Sequence, residues 1–111
     1  MLIAERVMKM RATGRTIDIP IRIFAPERSS GGSWSCRYEI DWPDGRWTMN
    51  AGGIDSVQAL FLALQMIGSE LYTSGYHNAG DLYFESPGRG YGFPVAATLR
   101  DRLVGDDKLR L

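Results

Sequence analysis

The residue types that could do chemistry in this 111-residue chain gather in its C-terminal half, around its one histidine. His77 is flanked by Tyr76 and Asn78, and Arg89 and Tyr91 lie in the glycine-rich stretch 87–92. A histidine just past a helix C-terminus is easily protonated, and an arginine can hold an anionic group. These five residues are the candidate site for a ligand or a partner, and the sequence suggests a small polar pocket lined by His77 with Tyr72, Tyr76, Asn78 and Arg89.

The same residues also admit catalysis, with His77 as general base, Asp81 orienting it and Arg89 holding an anionic substrate. A histidine that only caps the helix or fixes its loop is the plainer interpretation. No nucleophile is paired with a base in the sequence, so no catalytic residue is assigned. The leading interpretation is a non-catalytic binding or protein-interaction module, and the alternatives are this small enzyme or an assembly subunit.

One short motif suggests RNA. Arg89-Gly90-Tyr91-Gly92-Phe93 fits the first five positions of the aromatic motif with which RNA-recognition domains stack bases. Pro94 follows where that strand needs a free N–H, and the chain begins with strands where that fold needs a helix after its first strand. The net charge is zero, from 13 basic and 13 acidic residues, so the excess charge of a nucleic-acid binder is missing. We therefore expect no nucleic-acid partner, and expect Tyr91 and Phe93 to pack on the core.

The sequence predicts no cofactor and no metal site. One histidine and one cysteine cannot build a tetrahedral zinc site. Cys36 lies on the apolar face of a predicted strand, which indicates a buried, inert thiol. A single cysteine also excludes an internal disulfide, and no apolar run is long enough for a membrane span or a secretory signal. The expected location is the cytoplasm, and the expected partner is a small molecule, another protein or a second copy in a homodimer.

The elements that must hold these residues begin with two hairpins. A two-residue turn at Thr13-Gly14 pairs Met8 with Ile19 on one face and Lys9 with Asp18 on the other. In that register Arg6 falls opposite Ile21 on the apolar face, where it is a misfit. Pro20 cannot donate a ladder hydrogen bond, which indicates an edge or a bulge there.

The second hairpin has the clearer pattern. Apolar and polar residues alternate from Trp34 to Trp42, and Pro43-Asp44-Gly45 is strong turn chemistry. A four-residue connection would set Trp42 across from Trp47 and Ile40 across from Met49.

A helix follows, beginning at Asp55 as N-cap, with Gln58 completing a capping box. Its predicted core stripe has the three- and four-residue spacing of an amphipathic helix and comprises Val57, Leu60, Phe61, Leu64, Ile67 and Leu71. Leu62 and Met66 widen this apolar arc, so we expect the C-terminal segment or a second subunit to cover them. Gly68 inside the helix indicates close backbone approach, and Gly75 is the expected terminator.

After the helix, residues 82–85 are predicted to form a short strand and residues 95–104 a short helix, with a loose tail from Gly105. The fold class is α+β. We predict a single domain over residues 1–111, built as an antiparallel meander of four to five strands with one central helix packed across one face and a short C-terminal helix.

Part of the chain resembles a known family. The segments Gly52-Gly53-Ile54-Asp55-Ser56-Val57-Gln58-Ala59-Leu60, Leu62-Ala63-Leu64 and Gly92-Phe93-Pro94 are similar to those of a family of small uncharacterised bacterial domains of unknown function. This resemblance, which covers about Ala51 to Pro94, implies a bacterial origin and an α+β fold. It implies no activity and no site residues.

Overall fold

A computed structural model describes all 111 residues and has an antiparallel sheet with one long helix across one face. The strands are β1 (Leu2–Ala12), β2 (Arg15–Phe24), β3 (Glu27–Arg28), β4 (Trp34–Trp42), β5 (Gly45–Gly53) and β6 (Leu82–Tyr83). The helices are α1 (Ser56–Tyr72), α2 (Gly75–Asn78) and α3 (Gly105–Arg110), with a 3-10 helix over Ala97–Arg102 before α3. The predicted α+β class is confirmed.

The sheet follows the chain from β1 to β2, then to β4 and β5, so β5 forms one edge. Short β6 pairs with β1 at the opposite edge, and β3 adds two residues beside β4. None of the helices is long and apolar enough to cross a bilayer.

The first hairpin has the predicted register. Met8 pairs with Ile19, Lys9 with Asp18 and Arg6 with Ile21. Pro20 lies just outside the part of β2 that pairs with β4, at residues 21–23, so the sheet is locally a free edge there. The register shift in this hairpin lies between Leu2 and Ala4 instead.

The second hairpin differs from the prediction. Ile40 pairs with Trp47, Tyr38 with Met49, and Trp42 with Gly45. The connection is a two-residue turn at Pro43 and Asp44, because Gly45 belongs to the strand.

The N-terminus of α1 is capped as the sequence predicts. The Asp55 side chain accepts a hydrogen bond from the Gln58 N–H at 2.8 Å. The Gln58 side chain in turn accepts from the backbone N–H of Ile54, one residue before the cap, at 2.7 Å.

The predicted core stripe of α1 is partly wrong. Val57 is 73% exposed and Phe61 51% exposed, while the buried helix residues are Ala59, Ala63, Ile67, Gly68, Leu71 and Tyr72. Small alanines let the helix lie close on β4 and β5, which turns Val57 and Phe61 outward. Gly68 does mark a close approach, since a Cβ there would overlap the backbone carbonyl of Pro94.

The C-terminal third is more ordered than predicted. Thr73 is the C-cap of α1, and Gly75 starts α2 rather than ending a helix. The strand is limited to Leu82–Tyr83, and the predicted 95–104 helix is a 3-10 helix over Ala97–Arg102. The expected loose tail is helix α3, because the buried Asp107 anchors it.

One face of the sheet is apolar and covered, and the other carries ions in solvent. The covered face packs under α1 and under the segment that brings Tyr91, Phe93, Val95 and Leu103 into the core. On the open face the Arg22 guanidinium bridges Glu5 at 3.0 Å and Asp41 at 2.8 Å.

Candidate functional site

The glycine-rich loop is held by its aromatic residues. Tyr91 and Phe93 are buried, as expected, and so offer no exposed surface on which bases could stack. Gly90 and Gly92 have φ angles of 92° and 78°, which a side chain rarely adopts. These two turns allow the rings of Tyr91 and Phe93 both to face the core.

Asp107 holds this loop in place through hydrogen bonds to its backbone. Its carboxylate accepts hydrogen bonds from the N–H of Tyr91 at 2.7 Å, the N–H of Gly92 at 2.8 Å and the Tyr72 hydroxyl at 2.6 Å. Side chains at Gly90 and Gly105 would collide with Asp107 and with the Arg89 backbone, respectively. The loop N–H groups that could cradle an external anion therefore hold a carboxylate of the same chain.

His77 joins an aromatic cluster above this anchor. Its Nδ1 atom is hydrogen-bonded to the Tyr91 hydroxyl, and its ring centroid lies 4.9 Å from that of Tyr72. Burial lowers the pKa of His77, and the positive charge of Arg102 lowers it further. Burial, together with the nearby Asp107 carboxylate, raises the pKa of Tyr91. At neutral pH the pair is thus a neutral imidazole beside a neutral phenol.

The structure brings together only part of the predicted pocket. The Tyr76 ring turns away to stack on Trp42 at 5.1 Å, and its hydroxyl donates to Asp44 at 3.1 Å. Asn78 is exposed, and Arg89 forms an ion pair with Asp106 at 2.8 Å. His77 and Tyr91 are thus the only two of the five joined by a side-chain contact.

The predicted base and its orienting carboxylate are not hydrogen-bonded. Asp81 contributes its backbone, accepting from the Arg11 N–H at 2.9 Å and donating to the Tyr76 carbonyl at 3.1 Å. The Cys36 thiol is fully buried and donates to the Phe24 carbonyl at 3.2 Å, and burial raises its pKa. No group of three His, Cys, Asp or Glu side chains is arranged to hold a metal ion.

Two clefts share Gly90 in their lining. The larger, about 550 Å³, includes His77, Tyr91 and Arg11 in its wall. The smaller, about 270 Å³, is lined by Arg6, Arg89 and Arg110 together with three acidic residues, Glu85, Asp106 and Asp107.

Arg6 is the residue of this region that sequence reasoning marked only as a misfit. Its guanidinium donates to the Tyr91 carbonyl at 2.8 Å and lies 4.3 Å from the ring centroid of Phe84 and 5.1 Å from that of Phe93. The signal was present, because an arginine on an otherwise apolar strand face needs partners from elsewhere in the chain.

A different surface lies along the β5 edge. A groove of about 400 Å³ runs between this edge and α1, lined by Ala51 and Gly52 of the strand and by Leu62 and Met66 of the helix. Trp47 stands on the same face of β5, 38% exposed, and donates from Nε1 to the Tyr38 hydroxyl at 3.3 Å.

Comparison with known families decides how this fold is classified. Residues 4–95 match the family model of a domain of unknown function, DUF6968. The chain belongs to this family. The DUF6968 match takes in all of the sheet except the first two residues of β1, together with α1 and the glycine-rich loop. It ends before the 3-10 helix and before α3, which carries Asp107. No curated protein and no solved structure matches the chain.

Proposed function

We propose that this domain is a non-catalytic protein-interaction module that assembles through the edge of β5, with a second copy of the chain as its partner. The observation that carries the proposal is the nine-residue edge strand, which pairs with β4 on one side only. Because Trp42 and Gly45 close a two-residue turn, hydrogen-bonded pairs alternate from there along the hairpin. Arg46, Thr48 and Asn50 consequently turn their backbone N–H and C=O groups to the open side.

This edge lacks the features with which proteins normally prevent strand pairing. Such features include proline, lysine, inward charges and bulges. β5 has no proline or lysine, and its register with β4 runs without a shift from Gly45 to Gly53. Its one charged residue, Arg46, is tied to Asp41 at 2.6 Å. A strand of this kind is expected to be covered in the assembled protein.

The β5 edge is self-complementary when two copies are related by a two-fold axis at Met49. An antiparallel pair of β5 strands with its two-fold axis at Met49 sets Trp47 across from Ala51 of the second copy and Thr48 across from Asn50. A large exposed ring then faces the small residue that lines the groove beside Leu62 and Met66. Arg46 faces Gly52, so no like charges meet across the interface.

The hydrogen bonding around His77 supports a non-catalytic role for the domain. Its Nδ1 hydrogen bond goes to Tyr91, and no carboxylate is bonded to the imidazole. Backbone hydrogen bonds along an edge, with side-chain recognition in an adjacent groove, are the basis of strand-addition interfaces.

The test is the molar mass of the protein by light scattering over a wide concentration range, compared with two double variants. Thr48→Lys with Asn50→Lys sets two ammonium groups across from each other at each pair, and we expect a monomer. Thr48→Lys with Asn50→Glu sets opposite charges at the same positions, and we expect the dimer to return. The side chains of Thr48 and Asn50 are both exposed in the monomer, so we expect both double variants to fold.

A wild-type chain that stays monomeric at high concentration would overturn the proposal. So would a dimer whose mass is the same in both double variants, because the contact would then lie on another surface.

A further inference from the structure

Arg6 is a half-buried charged residue on an otherwise apolar strand face. It lies on the same face of β1 as Met8 and Met10, which are both buried. Its cross-strand neighbour on β2 is Ile21, which is also buried. Of the five N–H donors on its guanidinium, one is used within the protein, to the Tyr91 carbonyl. No carboxylate lies within ion-pair distance of this half-buried side chain.

The surroundings of Arg6 are shaped to keep it there. The rings of Phe84 and Phe93 pack near its guanidinium, and a side chain at Gly92 would occupy the position of its Nη1 atom. The group is thus held by its neighbours and borders the cleft of about 270 Å³.

A second cation lines the same cleft without an acidic partner. Arg110 of α3 lies in its wall and forms no ion pair, whereas Arg89 is neutralised by Asp106. Two arginines, one near each end of the sequence, therefore line one small cavity, and neither forms an ion pair.

The acidic residues of the wall are largely engaged. Asp106 is paired with Arg89, and both oxygens of Asp107 accept hydrogen bonds from the loop and from Tyr72. Glu85 is the exception: it is exposed, unpaired and the one non-glycine residue with a positive φ, at 61°. The negative charge of Glu85 at the rim of the cleft repels an anion and therefore limits the affinity of the cleft for one.

We propose that this cleft binds a small oxyanion, a carboxylate or phosphate group, between the guanidinium groups of Arg6 and Arg110. The planar fork of arginine matches both groups through paired hydrogen bonds. The site is independent of the β5 edge, which β2 and β4 separate from β1.

The test is a two-dimensional NMR titration of the full chain at low ionic strength, with inorganic phosphate in one arm and succinate in the other. We expect saturable shifts at the amides of Gly90 and Gly92 and at the arginine Nε–H groups. Saturation by one probe only would identify which oxyanion the cleft prefers.

Three variants localise the effect. Arg110→Gln, on an exposed side chain, should weaken binding about tenfold, the loss of one hydrogen bond to a charged group. Glu85→Gln should strengthen it, because a like charge leaves the rim. Lys108→Gln is the matched control, since Lys108 lies on the same helix outside the cleft lining, and should leave binding unchanged.

Shifts that fail to saturate with either probe, or that weaken equally in Arg110→Gln and Lys108→Gln, would overturn the proposal. The second result would assign binding to overall charge. Because the Thr48→Lys, Asn50→Lys variant leaves the cleft intact, it should bind phosphate like the wild type whatever its assembly state.

Discussion

At the scale of single residues, Asp107 joins three parts of the chain: α3, the end of α1 and the glycine-rich loop. It is 2% exposed and has no cationic partner, so three hydrogen bonds from Tyr72, Tyr91 and Gly92 replace its hydration. This explains why α3, which the sequence suggested was a loose tail, is part of the folded domain.

Asp107→Ala should therefore lower the free energy of unfolding by about 3 kcal/mol, because two buried donors, on Tyr72 and Tyr91, and the half-buried N–H of Gly92 lose their acceptor. The measurement is urea denaturation followed by fluorescence. Asp106→Ala is the control and should cost less than about 1 kcal/mol, since its ion pair with Arg89 is exposed. Equal losses in both variants would show that α3 is held by its helix contacts as a whole.

We expect His77 to make the stability of the fold depend on pH. Burial lowers its pKa in the folded protein, so between that value and the unfolded pKa of about 6.5 the unfolded chain binds more protons. Stability should then fall as the pH drops from about 7 through the folded pKa, and this fall should be smaller in His77→Asn. Thermal unfolding of both proteins from pH 7.5 to pH 5 checks it, and parallel curves would contradict it.

At the scale of elements, two glycines in helices should respond in opposite ways to alanine. Gly68→Ala gains helix propensity but forces its methyl into the Pro94 carbonyl, so we expect a net loss of about 2 kcal/mol or more. Gly75→Ala meets no atom within 4 Å at the start of α2 and should gain about 0.5–1 kcal/mol.

Chemical denaturation of the two variants in parallel measures both effects. A neutral Gly68→Ala would mean that the segment at Pro94 shifts away from α1 without cost.

The elements also show what local pattern can predict. The first hairpin was predictable because two independent patterns, apolar pairs on one face and Lys9 with Asp18 on the other, agree on one register. The second was misaligned because Pro43-Asp44-Gly45 fits turns of different length, and only the strand pairing assigns Gly45 to β5. For α1, a wide apolar arc predicts a helix but does not tell which side lies on the sheet.

The candidate sites required contacts that no local pattern contains. Arg6 meets Tyr91 across 85 residues, and Asp107 meets Tyr91 across 16. Sequence spacing identified Arg6 as anomalous and the loop as glycine-rich, but it could not bring the two together. Of the five candidate residues, His77 and Tyr91 are hydrogen-bonded to each other, whereas the ring of Tyr76 stacks on Trp42 instead.

At the scale of the whole molecule, coverage of the sheet is uneven. α1 lies on β4 and β5, and the C-terminal segment completes the core, but nothing pairs with the outer side of β5. If β5 of a second copy pairs with this outer side and the two-fold axis lies at Met49, the two Met49 residues face each other directly across the axis. Their position as a non-hydrogen-bonded pair gives a Cα separation of about 4.5 Å, which is within the range of a disulfide.

Met49→Cys should therefore form a covalent dimer under mild oxidation, seen by non-reducing gel electrophoresis and reversed by a reductant. Native Cys36 is buried and does not compete. Thr48→Cys is the control, because Thr48 faces Asn50 and its own copy lies on the diagonal, beyond disulfide reach. Cross-linking of Thr48→Cys in preference to Met49→Cys would move the two-fold axis by one residue. That shift would remove Trp47 from its position over Ala51, and with it the reason for this register.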